Sequence, residues 1–155
     1  EGIRTTSVAR AEYVCILPAG HPLAQRRSLA VADLAGEEFI GPMHEADALW
    51  NGIDAALASS GVAVSRRLET QHSQILYAFV EAGLGISIAE PFSAPMFHRV
   101  GVAIRPITPP VYLDFALLEP DIVPTPEIVS WLHVEIMRET AACLDHVHKL
   151  IATRP

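Results

Sequence analysis

Between residues 62 and 89 the chain runs apolar strand, hydroxyl-rich turn, helix, glycine, apolar strand, and that order leaves few folds open. Residues 62–69 read as a strand. Thr70-Gln71-His72-Ser73 follows, a segment able to start a helix. Ile75, Leu76, Phe79, Val80 and Ala82 then recur at the i, i+3, i+4 spacing of one helical face, and Gly83 stands where a left-handed C-cap belongs. A strand over 86–89 closes the unit. Two strands joined through a helix form a βαβ crossover, so the sequence predicts an α/β fold with a largely parallel sheet.

The remaining segments extend this pattern. Tyr13-Val14-Cys15-Ile16-Leu17 predicts a buried strand ended by the turn Pro18-Ala19-Gly20. Residues 29–34 hold one helical turn before Gly36, and 39–42 a second short strand. Apolar residues at 49, 50, 53, 56 and 57 predict a helix over 47–60 capped by Gly61. One or two helical turns are expected within 91–97. Strands at 102–107 and 111–118 flank Thr108-Pro109-Pro110, which must be extended. Beyond a proline-rich stretch at 119–126, a helix from 127 to about 151 would reach ~37 Å. That length predicts a bend or a frayed end near 140–144.

Composition removes several classes of function. The 155 residues carry a net charge of −7, and the basic side chains cluster only as Arg26/Arg27 and Arg66/Arg67. Nucleic-acid affinity needs several cations acting together on phosphates, so this chain by itself is not expected to bind DNA or RNA. No apolar run approaches the ~20 residues that cross a bilayer. Cys15 and Cys143 have neither CxxC nor disulfide-framework spacing and are expected as free thiols in a reducing cytosol. The N-terminus lacks an initiator Met and the apolar core of a signal peptide, so a fragment or processed chain is expected, and the expected cytoplasmic location rests on the free thiols instead.

Catalytic signatures are missing from the pattern. Gly83-Leu84-Gly85 ends a helix and opens a strand, the reverse of a dinucleotide fingerprint. His146 and His148 point about 200° apart on a helix and cannot share a metal there. His21, before Pro22, is a candidate base or a turn residue, and nothing nearby supports the former. No catalytic residue, metal or cofactor is expected. Two loops are suited to a small ligand. Thr70 to Ser73 opens a helix whose free amides, hydroxyls and dipole accept a carboxylate or phosphate, although plain N-capping explains Thr70 and Ser73 equally well. Residues 41–47 lead from a strand to Leu49 and Trp50. Both loops lie beyond the carboxyl ends of strands, where open α/β sheets hold ligands.

YVCILPAGHPLAQRRSLAVADLAGEEFI, with LETQHSQILYAFVEAGLGISIAEPFSA about thirty residues later, closely resembles the effector-binding region of LysR-type transcriptional regulators. The "HPLA" turn, the "DLAGEEFI" connection and the "AGLGI" strand carry the resemblance, which extends over residues 13–120. Glu69-Thr70-x-His72-Ser73 and the PFSA step resemble amino-acid-responsive members. The resemblance implies a type 2 periplasmic-binding-protein-like α/β fold with a ligand between two lobes. Residues 6–108 would form lobe II, and 109–155 the return crossover and the C-terminal part of lobe I. The winged helix-turn-helix and the first half of lobe I would lie outside this chain.

Carried onto this sequence, the resemblance implies ligand contacts from Pro42, His44, Asp47, Leu49, Trp50, Thr70, Gln71, His72, Ser73 and Val111. Thr70, Ser73 and nearby amides would hold ligand oxygens, Asp47 or Glu45 an ammonium group, and Leu49, Trp50 and Val111 apolar walls. The expected protein is an effector-sensing module that forms a homo-oligomer, dimer or tetramer, and reaches DNA only through the separate N-terminal domain. The alternative is a solute-binding protein of a transport system with the same fold. A small α/β enzyme finds no nucleophile, base and orienter set.

Overall fold

The computed structural model describes residues 2–41, 51–98, 101–121 and 125–152. The chain begins with strand β1 (Ile3–Glu12) and turns directly into β2 (Val14–Pro18). A 3-10 turn (Pro22–Gln25), the two-residue β3 (Leu29–Ala30) and a second 3-10 turn (Val31–Leu34) lead to β4 (Glu38–Gly41). The βαβ unit is then built from α1 (Asn51–Ser59), β5 (Ser65–Glu69), α2 (Ser73–Glu81) and β6 (Ser87–Ala89). A short α3 (Ala94–Phe97), β7 (Val102–Thr108), β8 (Tyr112–Pro120) and α4 (Glu127–Ala152) complete the fold.

The strands join in the order β5-β4-β6-β2-β7-β3, with Ile86 as the splice between β4 and β6. The Ile86 amide donates to Glu38 O, the Ile40 amide donates to Ile86 O, both at 2.9 Å, and the buried Ser87 hydroxyl donates to Ile40 O at 2.6 Å. Pairing is parallel for β4–β5 and β3–β7 and antiparallel for β2 with both β6 and β7. The other strands therefore run one way and β2 alone opposes them. The expectation of a largely parallel sheet holds in direction, with the correction that the central strand is reversed. Side-chain pattern could not reveal this, because a strand buried on both faces is equally apolar in either direction.

Both faces of the sheet are covered, and the period-2 alternation of each strand feeds two separate cores. Cys15, Leu17, Phe39, Ile86 and Ile88 pack under α1 and the second 3-10 turn with Ile53, Leu57, Val31 and Leu34. Val14, Ile16, Ile40, Val102 and Ile104 face α2 and the end of α4 with Leu76, Tyr77, Val80 and Val147. Each large aliphatic chain so buried contributes roughly 1.5–3 kcal/mol. The first two α-helices stop as their glycines dictate. Gly61 and Gly83 take positive φ values of 65° and 75°. In both cases the next amide reaches back to the carbonyl of the helix's third-last residue, Val62 to Leu57 and Leu84 to Phe79, the Schellman arrangement.

Three features depart from, or add to, the sequence reading. β1, unforeseen, pairs antiparallel with β8 from Ile3↔Pro120 to Glu12↔Tyr112 in a two-stranded ribbon whose outer face is exposed. α4 runs without interruption through 140–144, so no frayed end lies there, and its 26 residues span about 39 Å. It packs on β1 and β7, yet Ile128, Trp131, Leu132, Val134 and Met137 of its first half are exposed. The buried Arg105 guanidinium donates to Ala24 O and Ile104 O, fixing the first 3-10 turn to β7, and burial lowers its pKa. The Thr108–Pro109 peptide is cis.

His21 is settled as a turn residue. It caps the first 3-10 turn, its Nδ1 accepting from the Leu23 amide at 3.2 Å while Nε2 lies 3.3 Å from a Glu37 carboxylate oxygen.

Candidate functional site

Along one edge of the sheet the chain leaves β5 at Glu69 and β6 at Ala89, and enters β2 from Tyr13, because β2 runs opposite to its neighbours. The β1–β8 ribbon stands beside this edge. Between them lies an open hollow of about 90 Å³ lined by Tyr13, Thr70, Gln71, His72, Ser73, Leu76, Ala89, Glu90, Leu113 and Phe115. Thr70, Gln71, His72 and Ser73, expected from the sequence to hold a ligand, are thus brought together on one wall. The opposite wall is apolar, and the Phe115 ring meets Phe92 edge to face at 4.7 Å.

Local hydrogen bonding shows why the 70–73 loop presents donors. The Thr70 amide donates to Gly41 O at 3.0 Å, which holds the start of the loop to the end of β4. The Thr70 hydroxyl accepts from the His72 amide at 3.2 Å, so it does not cap α2. His72 is the N-cap residue, with extended backbone, and its side chain makes no capping bond. Its carbonyl takes the Ile75 and Leu76 amides. The Ser73 and Gln74 amides have no acceptor among the described residues, which leaves the positive end of the α2 dipole uncapped at the hollow.

Glu90, immediately after β6, is the one carboxylate in the lining among the described residues. Its backbone oxygen accepts from the Tyr77 hydroxyl at 3.0 Å, and its side chain accepts from the Phe92 and Ser93 amides and the Ser93 hydroxyl. Burial, with the Glu90 charge adding to it, pushes the Tyr77 phenol well above its usual range. Cys15 is pushed up to about 12 by burial, with Glu37 adding to it, and neither cysteine lines the hollow. Among the described residues no group of three His, Cys, Asp or Glu gathers as a metal site.

Val111 stands back from this hollow. It packs on the core cluster under α1, its carbonyl accepts from the Tyr13 amide at 2.9 Å, and its Cγ1 lies close over Gly52. Its strand-mates two and four residues on, Leu113 and Phe115, supply the lining instead. The alternation Val111, Leu113, Phe115, Leu117 was the available signal, since one face of a strand shares direction every second residue. Tyr13 and Glu90 had no local signal. Pro42, His44, Asp47, Leu49 and Trp50, with Glu45, lie outside the described residues.

A mixed α/β layer with a reversed central strand, flanked at one edge by the β1–β8 ribbon, is the architecture of the periplasmic-binding-protein-like fold. Residues 1–133 match the family model described as the LysR substrate binding domain, and the chain belongs to that family, the effector-binding part of LysR-type regulators. It is 35% identical over 129 residues to the regulatory protein NocR of Agrobacterium tumefaciens strain T37, covering 83% of this chain and 43% of that protein. It is 29% identical over 119 residues to the transcriptional activator protein LysR of Escherichia coli K12, covering 77% and 38%. The chain thus spans less than half the length of these relatives.

Among solved structures, the regulatory domain of Synechocystis PCC6803 CcmR in complex with 2-PG superposes with a TM-score of 0.72 at 18% identity, over 89% of this chain and 67% of that one. The effector-binding domain of QuiR in complex with shikimate gives 0.63 at 18% identity, over 95% and 66%. The relatives are transcriptional regulators rather than transport proteins, which disfavours the solute-binding alternative. No helix among the described residues is long and apolar enough to cross a membrane.

Proposed function

We propose that the hollow beside Thr70 to Ser73 is half of an effector site, and that a small organic effector, an amino acid or related carboxylate, bound there biases the regulator that contains this chain. The uncapped start of α2 at Ser73 carries the reading: its free amide, in the lining of the hollow, suits a ligand oxygen, and Leu76, Leu113 and Phe115 supply apolar surface beside it. The loop from Pro42 through His44 and Asp47 to Leu49 and Trp50 leaves β4 beside Thr70, which supports its assignment to the same rim. Val111 acts one layer behind, by holding the ribbon against Tyr13.

In this reading residues 6–108 form lobe II and 109–155 the return crossover with the end of lobe I. The effector acts by preferring one inter-lobe arrangement, since equal affinity for two arrangements shifts neither. DNA is bound by a separate N-terminal domain, catalysis has no role, and the protein works in the cytoplasm as a dimer or tetramer. Exposed Ile3 and Leu118 on the ribbon and Trp131 on α4, 57% accessible, support burial of this flank against further protein.

Filling the hollow tests the site. In the full-length protein an effector at about 100 times its dissociation constant adds ~2.7 kcal/mol of stability, visible as a thermal shift. The variant Leu113→Trp is expected to keep the unliganded midpoint within a few degrees and abolish the shift. A Leu113→Trp protein with full effector response places the site elsewhere.

A further inference from the structure

Among the described residues that line the hollow, Glu90 brings a carboxylate and no residue brings a lysine or arginine cation. Four other acidic residues near the sheet have cationic partners: Asp33 pairs with Arg26, Asp54 with Arg66, Glu38 with Arg67, and Glu119 with Arg4. Glu90 has none among the described residues. Its carboxylate is fixed by three neutral donors, the Phe92 amide at 2.5 Å, the Ser93 amide at 3.3 Å and the Ser93 hydroxyl at 2.6 Å. An ionised carboxylate offers about four acceptor positions, so these three leave capacity for another donor. Among the described residues no lysine or arginine lines the hollow, and its other ionisable side chains are those of Tyr13 and His72.

A rigidly held acid with no cation serves packing poorly, because a partly buried charge is costly unless a partner compensates it. The same hollow carries the opposite polarity at the uncapped start of α2. We propose that Glu90 is the charge-selecting residue of the site: it takes the ammonium group of a zwitterionic, amino-acid-type effector whose carboxylate lies at the Ser73 amide, and it rejects amine-free acids. This rests on the hollow being the effector site, and it adds to that reading a choice between the amino acids and the plain carboxylates. A dicarboxylate of similar length would set its second negative charge against Glu90, and like charges in a shielded site repel strongly.

The full-length protein is titrated calorimetrically with the twenty protein amino acids, their amine-free carboxylic acids, and succinate and glutarate. At least one amino acid is expected to bind about tenfold or more tightly than its amine-free counterpart, the size of one hydrogen bond to a charged group. Glu90→Gln keeps an acceptor for the Phe92 and Ser93 donors, so its thermal midpoint should stay close to the parent. Its amino-acid to amine-free affinity ratio should fall to about threefold or less. A purely structural role for Glu90 would lower the midpoint and leave that ratio alone. The inference is overturned if the ratio survives Glu90→Gln, if only amine-free acids bind, or if nothing in the panel binds. Loss of binding in Leu113→Trp with an unchanged ratio in Glu90→Gln refutes the role of Glu90 alone. Intact binding in Leu113→Trp refutes the site itself.

Discussion

Replacing Gly85 with alanine should loosen the sheet at the splice on which the site depends. A Cβ built at Gly85 would lie 2.5 Å from the Glu38 carbonyl oxygen, 3.2 Å from its carbon and 3.3 Å from Ile40 Cγ1, at a φ of +149° that side-chain-bearing residues rarely adopt. The backbone strain alone costs about 1–3 kcal/mol. Relief of the clash requires β4 and β6 to part, and the two Ile86 backbone bonds that join them contribute about 1 kcal/mol each. The sum is roughly 3–5 kcal/mol, a large share of the ~5–15 kcal/mol that holds a typical domain. Gly83→Ala is the matched control: its φ is +75° but nothing lies within 4 Å, so only about 1–2 kcal/mol of left-handed strain applies. Urea denaturation followed by far-UV circular dichroism, at unchanged m-value, compares the two midpoints. If Gly85→Ala is no more destabilising than Gly83→Ala, the close approach of β4 and β6 does not hold the sheet as described.

Two further outcomes follow from the charges and thiols. The Asp33 carboxyl is held below its usual range by the hydrogen bond from Arg26 and then by that from the Ala30 amide. A depressed carboxylate stabilises the fold above its unfolded value of about 3.9 and loses that contribution as pH falls through the folded value. Asp33→Asn should therefore be less stable than the parent at pH 7, with the gap narrowing as pH falls below about 4; a gap as large at pH 3 as at pH 7 refutes the assignment. Cys15, fully enclosed and pushed up to about 12, should react with a thiol reagent only on unfolding, whereas the half-buried Cys143 reacts first in the native protein. A Cys143→Ser protein that still labels rapidly while folded contradicts this.

Much of the local structure was legible because its causes are local. Gly61 and Gly83 stop their helices through their own backbone freedom, and the spacing of Leu76 and Val80 gives α2 one apolar face. Thr70 to Ser73 could be singled out because a helix start and its free amides belong to four consecutive residues. β1 was not legible: IRTTSVARAE is exposed on one face and finds its partner β8 more than a hundred residues away, so no apolar alternation marks it.

By itself, then, the sequence determined an α/β domain of the LysR substrate-binding type, the ends of its helices, and one wall of the candidate site. Tertiary structure alone decided that β2 opposes its neighbours, because direction depends on how the chain returns across the sheet. That reversal puts Tyr13 on the same edge as Ala89 and Thr70. The ribbon then sets Leu113 and Phe115 opposite, and Glu90 enters the lining through position, since its side-chain hydrogen bonds reach neighbours three residues away or fewer while the hollow is assembled from four separate segments.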